Sequence, residues 1–449
     1  MKKILFLLAL TFISSNVARA DNYNKGIEAY EKKEYAAALK LWRPLAMKGD
    51  VSSQSILGSM YQDGKGVKQD YKEAVKWYQK AAKQGDVYAQ SALGIMYHDG
   101  KGVKQDYKEA VKWYQKAAKQ GDVYAQSSLG LMYQDGKGVK QDYKEAVKWY
   151  QKAAKQGDVY AQSALGLMYH DGKGVKQSYK EAVKWYRKAA KQGDVYAQSS
   201  LGLMYQDGKG VKQGYREAAK WYRKAAKQGD VYAQSALGLM YQDGKGVKQD
   251  DKEAVKWYQK AAKQGDIYAQ STLGLMYHDG KGVKQNYKEA VKWYRKAAEQ
   301  GDVYAQFNLA LMFESGKDGI KQDYKEALKY YRLAAEQGND GAQFNLGFMY
   351  GKGEGATKDY KKSVKWYRKA AEKGNAKAQY NLGFMYGKGQ GVKKDYLYAY
   401  MWLDLSASNG EKIGNRGRDL IVKEMTPVQI SKAKNMVKEC KKKKYKSCD

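Results

Sequence analysis

From residue 50 to residue 410 the chain repeats one 36-residue unit. A fixed period of roughly 20 to 50 residues commits a chain to a solenoid, because so short a unit can bury its apolar face only against its neighbours. Residues 86–121 read DVYAQSALGIMYHDGKGVKQDYKEAVKWYQKAAKQG. The copy at 122–157 differs at three positions only: Ala92 becomes Ser128, Ile95 becomes Leu131 and His98 becomes Gln134. Within a unit, Ala89, Leu93, Met96 and Tyr97, then Ala110, Val111, Trp113, Tyr114, Ala117 and Ala118, follow the spacing of two amphipathic helices. Gly100 and Gly102 interrupt the pattern between them, over 99–106.

The second helix of each unit begins at a position held in turn by Asp70, Asp106, Asp142, Ser178, Gly214, Asp250, Asn286, Asp323, Asp359 and Asp395. All ten belong to the set favoured at helix N-caps. Six of the first seven join a capping side chain to a Glu three residues on, which predicts a capping box. Together the motifs A-Q-x-x-L-G-x-M-Y, G-x-G-V, D-Y-x-x-A-x-x-W and K-A-A-x-x-G resemble the Sel1-like repeat family over ten tandem units, about four fifths of the chain. The resemblance implies an all-α fold, a right-handed α/α superhelical solenoid of tandem 36-residue helix-pair repeats related to tetratricopeptide arrays. It also implies binding on the concave surface lined by first helices, and a non-enzymatic protein or peptide-binding role in the cell envelope or at a host surface.

Residues 1–20 read as a secretory signal: Lys2 and Lys3, an apolar run from Ile4, and Ala18-Arg19-Ala20 as the site of cleavage after Ala20. That run is too short to span a bilayer, and no later segment is apolar enough to do so. The expected location is the periplasm or outside the cell, away from nucleic acid. Residues 21–49 form an atypical N-terminal helix pair, with Trp42 in the place of Tyr114 and with Pro44 expected to kink or shorten its second helix. Ten repeats follow at 50–85, 86–121, 122–157, 158–193, 194–229, 230–265, 266–301, 302–338, 339–374 and 375–410. Units eight to ten diverge, with a residue gained near Asp318, Tyr330 in place of Trp, and the chain's only phenylalanines beyond the leader. Residues 411–449 close the array. Gly414 and Gly417 are expected to precede one or two helices, Thr426-Pro427 to start the last one, and a basic tail to follow.

Lys and Arg number 82 against 48 Asp and Glu, a formal charge of +34. The excess is spread out: residues 86–121 hold six lysines against Asp86, Asp99, Asp106 and Glu109. Packed helices sit roughly 8 to 10 Å apart, close to the ~8 Å screening length at physiological salt. Neighbouring repeats therefore add to a weakly positive stripe, which either keeps the body soluble or attracts an anionic polymer such as an envelope glycan.

Catalytic and metal chemistry find little support, and no cofactor is expected. His98, His170 and His278 share one column that holds Gln in other units, and lie two or three repeats apart. The loop at 99–106 has Lys101 and Val103 where a calcium loop needs acids, and lacks the Lys-Ser/Thr of a phosphate loop. Ser431-Lys432-Ala433-Lys434 matches S-x-x-K without S-D-N or K-T-G. A cysteine-rich branch of the family has been connected with penicillin binding, which leaves a cell-wall or β-lactam-handling enzyme as a lesser alternative, but the repeat cysteines of that branch are absent.

The surface that repeats is on the first helix, where Tyr88, Ser91, Ala92 and Ile95 share a face. The tyrosine recurs as Tyr124, Tyr160, Tyr196, Tyr232, Tyr268 and Tyr304. Such a ladder suits an extended peptide or a glycan through stacking and hydroxyl hydrogen bonds, and equally suits packing between first helices. The remaining pair is Cys440 and Cys448. Export favours their oxidation. In one continuous helix eight residues at ~1.5 Å each would hold them about 12 Å apart, beyond the roughly 7 Å limit for a bridge. A Cys440–Cys448 disulfide that pins the basic tail to the closing cap is expected, which requires the helix to end soon after Cys440, where 441–444 places four adjacent lysines.

Overall fold

A computed structural model of the chain describes residues 20–316 and 319–448. The expected leader lies outside the described residues except for Ala20, as do Lys317 and Asp318 of the longer loop. The chain divides into two compact units, one up to Gln228 and one from Gly229 on. The first contains α1 (20–31), α2 (Tyr35–Met47), α3 (Val51–Asp63), α4 (Tyr71–Lys83), α5 (Val87–Asp99), α6 (Tyr107–Lys119), α7 (Val123–Asp135), α8 (Tyr143–Lys155), α9 (Val159–Asp171), α10 (Tyr179–Lys191), α11 (Val195–Asp207) and α12 (Tyr215–Lys227). The second contains α13 (Val231–Asp243), α14 (Asp251–Lys263), α15 (Ile267–Asp279), α16 (Tyr287–Glu299), α17 (Val303–Ser315), α18 (Tyr324–Glu336), α19 (Asp340–Lys352), α20 (Tyr360–Ala371), α21 (Ala376–Lys388), α22 (Tyr396–Ser408), α23 (Ile413–Val422) and α24 (Pro427–Lys442). No strand occurs among the described residues. The fold is an α/α solenoid of tandem helix pairs with atypical ends.

Caps set the helix boundaries. Asp86 accepts the Ala89 N–H at the start of α5, and Gly100, at φ +72°, ends that helix in the left-handed conformation. Asp106 accepts the N–H groups of Lys108 and Glu109 at the start of α6. The expected capping box is only half made. The N–H of Asp106 already donates to the Tyr97 carbonyl at 2.9 Å, so Glu109 pairs with Lys112 instead. The complete reciprocal box is at Thr426 and Gln429 of α24. Helix α2 runs its full length through Pro44, because Pro44 and Lys40, four residues back, both lie on the exposed side, where the freed carbonyl meets water.

Two glycine columns draw elements together. A Cβ on Gly94 would stand 2.5 Å from the ring of Tyr114, so α5 and α6 touch through that ring. A Cβ on Gly102 would fall 2.2 Å from the Tyr71 carbonyl oxygen, so the loop of one repeat rests on the backbone that opens α4 in the repeat before. In the near-identical repeats a core cluster joins a second helix, the first helix that follows and the next tryptophan. One such cluster holds Ala182, Val183, Tyr186, Ala189, Ala190, Ala197, Leu201, Met204 and Trp221. Trp77, Trp185, Trp221, Trp257, Trp293 and Trp366 are buried, whereas Trp113 and Trp149 are half-buried. A lysine three residues on lies over each ring, as Lys116 does over Trp113 at 4.1 Å.

Polar staples cross from repeat to repeat. Gln120 Nε2 donates to Gln90 Oε1 at 2.9 Å and to the Gly85 carbonyl, while buried Gln90 donates to the Ala82 carbonyl. The Ser91 hydroxyl donates to Asp122, the cap of the next first helix. Breaking such a set leaves a buried group unpaired, at a cost of about 1 to 3 kcal/mol.

At the C-terminal end, Gly414 and Gly417 lie inside α23 and not before it. Cβ atoms there would meet the Leu403 carbonyl at 2.7 Å and the Leu403 side chain at 2.8 Å, so the glycines let α23 seat on α22. In α24, Ala433, Val437 and Cys440 are buried. The helix stops at Lys442, and Lys444, Tyr445 and Ser447 take positive φ, turning the tail back. Tyr445 donates to Asn409 at 3.0 Å, and a disulfide joins Cys440 to Cys448 across a Cα separation of 5.2 Å.

Candidate interaction surface

The tyrosine column of the first helices is on the surface. In the first unit Tyr88, Tyr124, Tyr160 and Tyr196 are 48 to 55% exposed; in the second, Tyr232, Tyr268 and Tyr304 are 48 to 50% exposed. Tyr88 meets buried Tyr78 of the preceding second helix edge-on, with centroids 6.1 Å apart. The edge-on contact also joins Tyr150 to Tyr160, Tyr186 to Tyr196, Tyr258 to Tyr268 and Tyr294 to Tyr304, at 6.0 to 6.5 Å, and Tyr114 meets Tyr124 tilted at 6.3 Å. The rings therefore pack on the second helix behind them, and not between first helices. Edge-to-face pairs of this kind contribute about 0.5 to 1.5 kcal/mol beyond area burial, which orients the outer ring. Burial pushes the hydroxyl of Tyr150, and that of Tyr160 on the surface, above the usual phenol range, so both are neutral hydrogen-bonding groups.

Ser91, which shares the helical face with Tyr88, is not open to a partner. It is buried and its hydroxyl is committed to Asp122. The face consists instead of the tyrosine, the Ile95 column, and the acid that ends the first helix. One hollow of about 260 Å³ shows the arrangement: Tyr196, Leu203 and Asp207 from α11 face Leu167 and Asp171 from α9, over Tyr186. Asp207 is paired with Lys209 at 3.0 Å and Asp171 with Lys173 at 3.3 Å. These acids and their lysines were legible only as a turn; their recurrence one turn beyond the Ile95 column is the signal that places them on this face.

The net charge lies elsewhere. Helices α3, α5, α7, α9, α11, α13, α15 and α17 contain no Lys or Arg. Second helices carry theirs in a stripe, as Lys108, Lys112, Lys116 and Lys119 do on α6, all four exposed. The three histidines each bond the next aspartate, as His98 Nδ1 does Asp99 at 2.8 Å, and no group of metal-ligating residues forms among the described residues. Ser431 and Lys434 are both exposed on α24. No helix among the described residues is long and apolar enough to cross a membrane.

No curated protein sequence matches the chain. The model of the family described as Sel1 repeat matches ten segments, residues 51–86, 87–122, 123–158, 159–194, 195–230, 231–266, 267–302, 303–339, 341–375 and 376–411. Among solved structures, a protective antigen present in uropathogenic Escherichia coli strains and displaying an SLR fold is 37% identical. That match covers 98% of this chain and 96% of the antigen, with a TM-score of 0.82. A Sel1 repeat protein from Oxalobacter formigenes is 35% identical over 69% of this chain and 89% of its own, with a TM-score of 0.55. Ten matched segments, and near full-length likeness to a solved protein of the same repeat, make this chain a member of the Sel1 repeat family.

Proposed function

We propose that this protein is an exported, non-enzymatic scaffold that binds extended peptide segments of a partner protein along the tyrosine column of its first helices. The observation that carries the reading is the half-exposed ring at seven successive positions, oriented by a buried tyrosine at Tyr88, Tyr124, Tyr160, Tyr196, Tyr268 and Tyr304. An oriented ring loses little freedom on binding, and tyrosine offers apolar area and a hydroxyl together. Export rests on the signal-like leader and is consistent with a Cys440–Cys448 disulfide, since such bridges persist in oxidising compartments. The uropathogenic relative is described as a protective antigen, a role that supports placement at the cell surface or beyond it. Selection from a displayed library of random peptides tests the binding: peptides should enrich on the wild-type protein and fail to enrich on a Tyr124→Ser/Tyr160→Ser/Tyr196→Ser variant. Equal enrichment on both would refute it.

The exposed lysine stripe of the second helices favours a second reading, attraction of an anionic envelope glycan. Binding by that stripe falls steeply between low and physiological salt, whereas binding by a tyrosine face changes little.

A further inference from the structure

The array breaks its own pattern at its entrance. In the first repeat the tyrosine column holds Ser52 and the Ile95 column holds Ser59. Later tyrosines of this column lie on a buried tyrosine of the helix before; in the corresponding place on α2 stands Trp42. With serine in place of the ring, a cavity of about 540 Å³ opens there, within the range of small-ligand sites, roughly 300 to 1,000 Å³. Its open aromatic lining is Tyr23, Tyr30 and Tyr88, over a floor of Trp42 that is itself 2% exposed. The Tyr23 and Tyr30 rings lie 6.3 and 5.7 Å from that of Trp42.

The lining is also acidic. It includes Glu31 and Asp86 and no Lys or Arg, in a chain with 82 of them. Asp86 is committed to the Ala89 N–H and the Ser55 hydroxyl, whereas the Glu31 side chain is exposed at the cavity. The same aromatic cluster already holds one cation from outside the cavity. The Lys65 ammonium lies 5.4 Å from the Tyr30 centroid, donates to its hydroxyl at 2.9 Å and is balanced by Asp63 at 3.3 Å. Aromatic faces beside an uncompensated carboxylate are the chemistry that holds an organic cation with an apolar stem.

We infer that the cavity over Trp42 is a socket for a cationic side chain, arginine or lysine, of a peptide whose chain continues along the tyrosine face. The identity of the carrier rests on the peptide-binding reading above; the socket's own chemistry is tested without it. Tyr88 lines both the cavity and the ladder, so an occupant of the socket is placed in register at the first rung.

The experiment follows the ¹⁵N-labelled Trp42 indole in the purified protein while N-acetyl-arginine-N-methylamide is added, with the neutral citrulline counterpart as control. The arginine probe should shift that resonance saturably and bind at least about fivefold more tightly than citrulline. Glu31→Gln should weaken the arginine probe by roughly threefold or more through loss of its carboxylate. Ser52→Tyr, which restores the residue found in later repeats, should abolish the shift. Equal response to the two probes, or an undiminished arginine response in Ser52→Tyr or Glu31→Gln, would overturn the inference. If instead the ladder reading alone is wrong, the arginine probe still shifts Trp42 while random peptides enrich equally with and without the ladder tyrosines.

Discussion

The seven near-identical repeats and the three divergent ones share a core and differ in a face. Ala89, Leu93 and Met96 recur as Ala305, Leu309 and Met312, as Ala342, Leu346 and Met349, and as Ala378, Leu382 and Met385, all buried. The tyrosine column instead stops after Tyr304, passing to Gly341 and Lys377. The Ser91 column becomes Phe307, Phe344 and Tyr380, and the Ile95 column becomes Leu311, Phe348 and Phe384, the last 47% exposed. Where Ser91 stapled a repeat to the next cap, Phe344 packs its ring against Tyr367 at 5.8 Å. Core and face columns therefore vary separately, and a repeat can change what it presents without changing how it stacks.

That separation can be broken in graded ways. The largest effect is expected in the column of tryptophans that joins the core clusters of adjacent repeats. Trp185→Ala should cost about 3 to 5 kcal/mol in urea unfolding, and Tyr330→Ala, its counterpart among the divergent repeats, a similar amount. A loss under about 1 kcal/mol for Trp185→Ala would remove the tryptophans from the core. Next is the glycine column. A Cβ on Gly166 would lie 2.4 Å from the Tyr186 ring, so Gly166→Ala should cost about 1 to 3 kcal/mol by overpacking. The eighth repeat already has buried Ala310 there. If Gly166→Ala is neutral, the two blocks stack alike and the glycine is not required.

Smaller still is the acid response of the histidine-bearing repeats. The hydrogen bond from His170, then Lys173, holds the Asp171 carboxyl below its ordinary range. A depressed carboxylate contributes stability above its unfolded pKa and loses it as pH falls through the folded value. His170→Gln should therefore reduce the stability difference between pH 6 and pH 3 by well under about 1 kcal/mol. An unchanged or larger difference would contradict the sign. The smallest effect is expected from removing a whole repeat. Deleting 122–157 joins nearly identical neighbours, so the helical circular dichroism per residue should persist; collapse of that signal would show that the units are not interchangeable.

Helix positions were legible because period, cap and glycine agree locally at every repeat. What was not legible depends on what stands across a gap. Asp106 and Glu109 have capping-box spacing, but the Tyr97 carbonyl takes the N–H that the box needs. Gly414 and Gly417 look like breakers until Leu403 is seen against them. Tyr78 and Tyr88 are both tyrosines on helices of the repeat, and only the stacking of one repeat on another decides which ring is buried and which is half free. The socket over Trp42 was foreshadowed by Ser52 standing in a column of tyrosines, but the opening itself depends on where α1 lies.

The most direct test of a face separable from its core sets Tyr160→Ser/Tyr196→Ser beside Trp185→Ala, measuring urea stability and affinity for a library-selected peptide on each. The half-exposed pair should lose at least about tenfold in affinity, while each tyrosine costs less than about 1.5 kcal/mol of stability. Trp185→Ala should lose several kcal/mol of stability, and its affinity should fall only as far as its folded fraction. Equal affinity in the tyrosine variant, or a stability loss as large as that of Trp185→Ala, would contradict the account.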